Sequence, residues 1–324
     1  MTTVFKSTTL NIACQIIPIY INMVNKSKII AIVGPTASGK TALGIALAQK
    51  FNGEIVSADS RQVYRDMDIC TAKPNGAEQG GIPHHLMNIK DPGENYTVAE
   101  YKRDAIAAIE DIIARDKIPF LVGGTGLYIR AVLENLDIPE VAANRELRAE
   151  IEAEIMRDGL ATVFKKLVAL DPEAVHEIDS KNPRRVVRAL EVAIASGKSF
   201  TAQRTKSESP FDAFVLGIDL PPKIVRERIN QRVDAMINGG LVNEASMLIK
   251  KYGRTPVAFD TIGLREVINY LNGNGSLEET AAAIKINTWH YAKRQMTWFK
   301  KYGSVQWVSS ETEAVSYVYD FLKK

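Results

Sequence analysis

Residues 34 to 41 read Gly34-Pro35-Thr36-Ala37-Ser38-Gly39-Lys40-Thr41, a glycine-framed run closed by a lysine and a hydroxyl. The glycines let consecutive backbone N–H groups turn toward one anion, Lys40 reaches terminal phosphate oxygens, and the Thr41 hydroxyl suits a Mg²⁺ ion. This G-x-x-x-x-G-K-[ST] pattern reads as a phosphate-binding loop, and it raises the question of whose phosphate is bound. A nucleotide hydrolase places an acidic residue at the end of a later strand to position the metal. Here the strand expected over 117–124 runs into Val-Gly-Gly-Thr125-Gly-Leu-Tyr with no carboxylate, and no [NT]-K-x-D guanine-reading motif occurs. An ATP-using small-molecule kinase and an RNA-binding nucleotide switch both remain open on these residues.

Asp59 closes the strand expected over 54–59, EIVSAD, the strand expected beside the phosphate loop; the carboxyl edge of a parallel sheet is where ligands gather. The competing role for Asp59 is a cap, shared with Ser57 and Ser60. Farther on, Arg228 and Arg232 stand one helical turn apart and suit a bidentate phosphate lid, or else surface ion pairs. His84 and His85 adjoin, so their side chains diverge; packing or loop hydrogen bonds fit them better than a metal.

Two stretches carry basic faces. In Asn182-Pro-Arg184-Arg185-Val-Val-Arg188, helical spacing sets the arginines on one side and Val187, Leu190 and Ile194 on the other. In the run from Trp289 to Lys301, one face gathers Lys293, Arg294, Lys300 and Lys301 beside Trp289, while Ala292, Gln295 and Phe299 turn away. A basic face edged by an aromatic suits an RNA backbone and an unstacked base, although either helix alone could be a solvated face.

The elements that must position these residues alternate. KIIAIV at 28–33, EIVSAD at 54–59 and KIPFLVGG at 117–124 are strands separated by helical periodicity, which predicts a parallel sheet covered on both faces. Residues 140–210 turn helical and charged, giving a helical insertion domain. The core resumes from 211 with the strand FDAFVLGIDL, helices over 222–251, 262–272 and 277–301, the strand SVQWVS and a last helix. The expected fold is α/β, a P-loop kinase-like sheet flanked by helices (23–139 and 211–324) with a smaller all-helical insertion.

With 324 residues, 46% hydrophobic, and 41 Lys and Arg against 38 Asp and Glu, the chain can bury a real core but has almost no net field. An anionic partner must therefore be met by local patches. Two cysteines, Cys14 and Cys70, form neither a disulfide framework nor a metal spacing, which fits a reducing cytoplasm. Residues 1–22 have too short and too interrupted an apolar run for a membrane span or signal peptide. Met23 precedes the first strand, and residues 1–22 are expected to be dispensable.

The motifs GPTASGKT, SADSRQVY, DICTAKP, HHLMNI, VGGTGLY, NPRRVVRALEV, IGLREVINYL and AKRQMTWF occur in the order and spacing of the tRNA isopentenyltransferase family, which this chain resembles from about residue 28 to 308. The resemblance implies transfer of a dimethylallyl group from dimethylallyl diphosphate to the exocyclic N6 amine of the adenosine 3′ of the anticodon. It implies a diphosphate leaving group in the phosphate loop, Mg²⁺ held through Thr41, and Asp59 as the base that orients the amine. It implies that Thr125 positions adenosine or diphosphate, with Lys40 and Arg228 stabilising charge and Arg232 binding diphosphate. For the tRNA anticodon stem-loop it points to Asp59, Ser60, Arg61 and Gln62, to Arg184, Arg185 and Arg188, and to Arg148. Lys293 and Arg294 join these from the basic face, and a monomer is expected. Cys70, Asn88, Leu264 and Trp289 depart from the family's usual glycine, aspartate, tyrosine and arginine, which bears on RNA affinity rather than on the reaction.

Overall fold

The computed structural model describes residues 26–139, 141, 144–203, 207–254 and 256–324; the expectation for residues 1–22 lies outside them, as does Cys14. Six parallel strands form one sheet in the order β3-β2-β4-β1-β5-β6. These are β1 (Ser27–Val33), β2 (Gly53–Ser57), β3 (His84–His85), β4 (Ile118–Val122), β5 (Phe211–Ile218) and β6 (Val305–Val308). β1 is central and wholly buried from Ile29 to Val33. Its alternate residues face opposite ways. Ile29, Ala31 and Val33 pack with α2 (Val98–Ala114) and α3 (Gly126–Leu133), whereas Ile30 and Ile32 pack with α1 (Lys40–Lys50) and α12 (Glu311–Lys323). A strand covered on both faces has no polar side to show, which is why KIIAIV reads as a continuous apolar run.

The insertion comprises α4 (Arg145–Asp158), α5 (Leu160–Leu170), α6 (Ala174–Glu177) and α7 (Pro183–Ser196). These pack around their own cluster of Ile151, Val163, Leu167, Ile178, Val186, Val187 and Leu190. α7 starts where Asn182 accepts the Arg185 N–H, has Pro183 in its first turn, and stops at Gly197, whose φ of 64° is left-handed. The expected apolar side of α7 holds at Val187 and Leu190, but Ile194, on the last turn, is exposed. A fourth cluster lies under α8 (Pro222–Asn238), α9 (Leu241–Tyr252), α10 (Leu264–Leu271) and the long α11 (Leu277–Lys300). The single helix expected over 222–251 is two, because Gly239 and Gly240 break it, Gly240 at φ 101°. α11 begins at a capping box between Ser276 and Glu279.

Two strand assignments change. The histidine pair forms the short edge strand β3, with His84 Nδ1 2.8 Å from the Ile82 carbonyl oxygen and His85 Nε2 2.8 Å from Glu54 Oε2; the first is a short-range hydrogen bond of the kind expected, and the second reaches across to β2. And β2 does not adjoin β1, because β4 lies between them. The chain after β2 instead crosses the end of β4. Ala58 N–H donates to the Val122 carbonyl (2.8 Å) and Thr125 N–H to the Ala58 carbonyl (3.1 Å). Gly123 makes the crossing possible, since a Cβ there would lie 2.1 Å from Ala58 O.

Among the described residues no helix is long and apolar enough to cross a membrane. Because backbone, not a flexible side chain, fills the space over Gly123, we predict that Gly123→Ala destabilises the protein by about 1–3 kcal/mol. A thermal denaturation curve with an unchanged midpoint would contradict this.

Candidate active site

The phosphate loop leaves β1 at Gly34 (φ 148°), turns through Ala37 and Gly39 in left-handed conformations (φ 62° and 96°), and enters α1 at Lys40. Gly39 needs its freedom, but Ala37 holds a strained angle without it, as loops built around ligands often do. Lys40 Nζ donates to the Pro35 carbonyl at 2.7 Å, a loop acceptor standing where a phosphate oxygen would compete. The Ser38 hydroxyl is buried with no hydrogen-bonding partner. A buried orphan polar atom asks for a ligand.

Cations crowd this loop. Arg228, on α8, donates from Nη1 to the Ser38 carbonyl at 3.1 Å, and Arg232, one turn later, lies close enough to act on Lys40. Burial pulls the Lys40 ammonium from its usual 10.5 down to about 8; Asp59 opposes the shift and Arg232 adds to it. Burial lowers Arg232 as well. With Lys40, Arg228 and Arg232 gathered at the loop, and Asp59 and Glu78 the carboxylates that act on Lys40 and Arg232, the site is arranged to receive an anion.

Asp59 sits two residues past β2. Its Oδ1 accepts the N–H groups of Arg61 (2.9 Å) and Gln62 (3.4 Å), so the capping role is real. The other oxygen has no hydrogen-bonding partner within the chain among the described residues, which leaves it for chemistry. Thr125, at the start of α3, accepts the Ser60 N–H at 3.0 Å and donates to Ser60 Oγ at 3.4 Å. The Thr125 turn and the Asp59 turn are thus one unit. Gln62 accepts from the Ser57 hydroxyl (3.3 Å) and donates to the Thr71 carbonyl (3.4 Å), joining the DICTAKP loop to the same unit.

Gln295 was not among the expected site residues. It is buried on the inner face of α11, accepts the Thr36 N–H at 2.8 Å and donates to the Gly124 carbonyl at 3.0 Å. One amide therefore ties the phosphate loop to the Thr125 turn. The signal lay in the sequence: a glutamine in the apolar stripe of Ala292 and Phe299 must find buried partners. Tyr291, one turn before it, is within the field of Asp59, and burial raises its phenol. Glu191 was also missed. It is fully buried, accepts the Asn144 N–H (2.8 Å), and binds both Arg148 (2.8 Å) and Arg188 (2.9 Å), while Arg188 also donates to the Val141 carbonyl (2.9 Å). Arg148 and Arg188 are thus partly committed, whereas Arg184 and Arg185 are exposed. On the outer face of α11, Lys293 and Arg294 line a groove of about 440 Å³ with His290, Thr297, Trp298 and Lys301.

Among the described residues no group of three His, Cys, Asp or Glu could hold a metal. The Thr41 hydroxyl in the first turn of α1 is a hard oxygen donor. Mg²⁺ keeps most of its shell as water and phosphate oxygens, so Thr41 together with a bound diphosphate fits it.

The model for IPP transferase matches residues 62–302, and that for isopentenyl transferase matches 27–88. The chain belongs to the IPP transferase family. In keeping with that membership, it is 43% identical over 285 residues to a tRNA dimethylallyltransferase of Halalkalibacterium halodurans, covering 87% of this chain and 91% of the relative. It is 46% identical over 278 residues to one from Roseiflexus, covering 86% and 91%. Among solved structures it is similar to the full-length tRNA isopentenylpyrophosphate transferase from Bacillus halodurans, with 39% identity, a TM-score of 0.69, and coverage of 92% and 96%. A eukaryotic dimethylallyltransferase acting on tRNA matches with 29% identity, a TM-score of 0.77, and coverage of 92% and 80%. The P-loop kinase-like fold expected for this IPP transferase is thereby shown.

A lysine held below its unfolded pKa destabilises the fold wherever it is charged. Lys40→Met should therefore raise the melting temperature of the ligand-free protein by a few degrees at pH 7 while abolishing diphosphate binding. The stability gain should be full below about pH 8 and fade as pH rises toward 10.5. A variant less stable than wild type at pH 7 would contradict the electrostatic reading.

Proposed function

We propose that this enzyme transfers the dimethylallyl group of dimethylallyl diphosphate to the exocyclic N6 amine of the adenosine 3′-adjacent to the anticodon of tRNA (position 37), releasing diphosphate. The observation that carries the proposal is the joining of the cationic phosphate loop, through Gln295, to the turn that braces Asp59. The glycines at the end of β4 leave an ATP-using small-molecule kinase open, but the similarity to tRNA dimethylallyltransferases does not favour it.

Cleaving an allylic C–O bond develops negative charge on the departing diphosphate. The loop N–H groups, Lys40, Arg228 and Arg232 meet that charge as it grows, so their effect falls on the transition state more than on the bound substrate. Thr41 would help to hold Mg²⁺, which when bound would supply Lewis-acid stabilisation to the leaving group. The adenine amine is a weak nucleophile because its lone pair is delocalised into the ring. Asp59 holds its carboxylate by Oδ1 and offers Oδ2 to an amine proton, orienting the nitrogen and taking the proton as the new C–N bond forms. Thr125 fixes the Asp59 turn and lies beside the reacting groups. Arg184, Arg185 and Arg188, with Lys293 and Arg294, meet RNA phosphates, Ser60 to Gln62 border the extruded base, and Arg148 is held with Arg188 on Glu191. The reaction so read is cytoplasmic and carried out by a monomer.

The test is a transfer assay with purified protein, Mg²⁺, labelled dimethylallyl diphosphate and an unmodified anticodon stem-loop, with ATP replacing the isoprenoid in a parallel tube. Label in the RNA at the adenosine 3′ of the anticodon is expected; consumption of ATP without label would establish a kinase instead. Asp59→Ala should keep the fold, read by circular dichroism, and lose about 100-fold or more in rate. Near wild-type turnover would remove Asp59 from its role.

A further inference from the structure

α9 buries one face through Leu241, Ala245 and Leu248, and the residue that completes this stripe is Glu244, itself buried. A carboxylate is costly to bury unless hydrogen-bond donors surround it. Three do, and all are backbone N–H groups of the loop that follows the Asp59 turn. Oε2 accepts Asp68 N–H (3.1 Å) and Ile69 N–H (2.6 Å), and Oε1 accepts Cys70 N–H (2.9 Å). Successive N–H groups turned to one point form a nest for an anion, and here α9 supplies the anion from within the chain.

The loop depends on such a hold. Asp66 and Ala72, at its two ends, take left-handed angles (φ 62° and 49°), which non-glycine residues keep only where their surroundings impose them. Met67 and Cys70 are buried, but the other side of the loop borders a cavity of about 480 Å³ whose lining includes Asp66, Asp68, Asn243, Met247 and Lys251. Apolar packing therefore grips the loop from one side only.

From this place the loop reaches the Asp59 turn through two side chains. Lys73 Nζ donates to Asp68 Oδ1 (2.6 Å) within the loop, and to the Tyr64 carbonyl (2.8 Å) and Asn88 Oδ1 (2.5 Å) beyond it. Asn88 N–H in turn donates to the Gln62 carbonyl at 3.2 Å. Gln62 Nε2 donates to the Thr71 carbonyl and Gln62 N–H to Asp59 Oδ1, both at 3.4 Å. We propose that Glu244 is a positioning residue for the transfer step: it fixes the 66–73 loop, and the loop, through Gln62 and Lys73, fixes the Asp59 carboxylate. The role rests on the reaction proposed above, in which Asp59 orients the amine. The phosphate loop has its own ties, to Gln295 and Arg228, that bypass the 66–73 loop. Loss of Glu244 should thus slow the chemical step and spare diphosphate binding.

The experiment compares wild type, Glu244→Gln, Lys73→Met and the double variant in single-turnover transfer to the stem-loop at saturating substrates, with calorimetric binding of inorganic diphosphate and Mg²⁺ alongside. Glutamine keeps the shape of the side chain but only one acceptor oxygen for the three donors. Glu244→Gln should slow transfer by about 10-fold or more, because a small misplacement of the base suffices for that. Its diphosphate affinity should stay within about 2-fold of wild type. The double variant should be slower than the worse single variant by no more than about 3-fold, since both changes break one path. Thr71→Val leaves Glu244 in place and removes the hydroxyl bond to the Met67 carbonyl (2.6 Å); it should slow transfer in the same selective way, and it carries the test if Glu244→Gln does not fold. A lower melting temperature with an unchanged rate in Glu244→Gln would show a purely structural role and overturn the proposal. A wild-type rate in Thr71→Val, losses that multiply in the double variant, or a diphosphate affinity that falls in step with the rate would overturn it equally. In each of those cases transfer by the wild type leaves the proposed reaction standing, whereas a wild type that transfers nothing to RNA would remove the reaction and this role with it.

Discussion

The Ala58 backbone passes so closely over Gly123 that no side chain fits between them, and this crossing decides where Asp59 lies. Without it the chain leaving β2 would stay two strands away from the phosphate loop, separated by β4. With it, Thr125 bonds back to Ala58 and Ser60, and the turns after β2 and β4 become one rigid piece beside the loop after β1. A parallel sheet gathers its loops at one edge; here close backbone contact brings a carboxylate from a non-adjacent strand into the field of a lysine.

Buried polar side chains carry this arrangement outward. Gln295 joins the phosphate loop to the Thr125 turn, Glu191 joins two arginines to the start of the insertion, and Glu244 accepts the N–H groups of Asp68, Ile69 and Cys70. Each satisfies donors or acceptors on segments distant in sequence. A buried polar group that loses its partners costs more than a typical hydrogen bond contributes, so such residues fix one arrangement of loops among many that an apolar core would tolerate. Loops without regular structure otherwise have little to hold them, and this protein builds its site from them.

The cationic cradle works against the fold that supports it. Lys40 sits below its ordinary pKa, and Arg232 is pulled the same way, because the cost of burying these charges outweighs the attraction of Asp59 and Glu78. Under the function proposed above, a diphosphate joining the site would relieve that penalty. Stability and binding are therefore opposed at the phosphate loop, as expected where charge is arranged ahead of its ligand.

Local patterns fixed what depends on neighbours in the chain. The phosphate loop, the parallel strands, the capped helices, the basic face of α11 and the helical insertion were all legible, since glycine spacing and hydrophobic period act over a few residues. Family motifs named Asp59 and Thr125, but spacing alone left Asp59 between two roles; the structure shows the cap, made through Oδ1, and leaves Oδ2 without a hydrogen-bonding partner among the described residues. What tertiary structure alone decided is strand order and pairing across distance. β4 separates β2 from β1; Gly239 and Gly240 split one expected helix; and Gln295 and Glu191 turn inward. Those outcomes rest on contacts between residues up to 259 positions apart, and their energies belong to packing and desolvation that no local window contains.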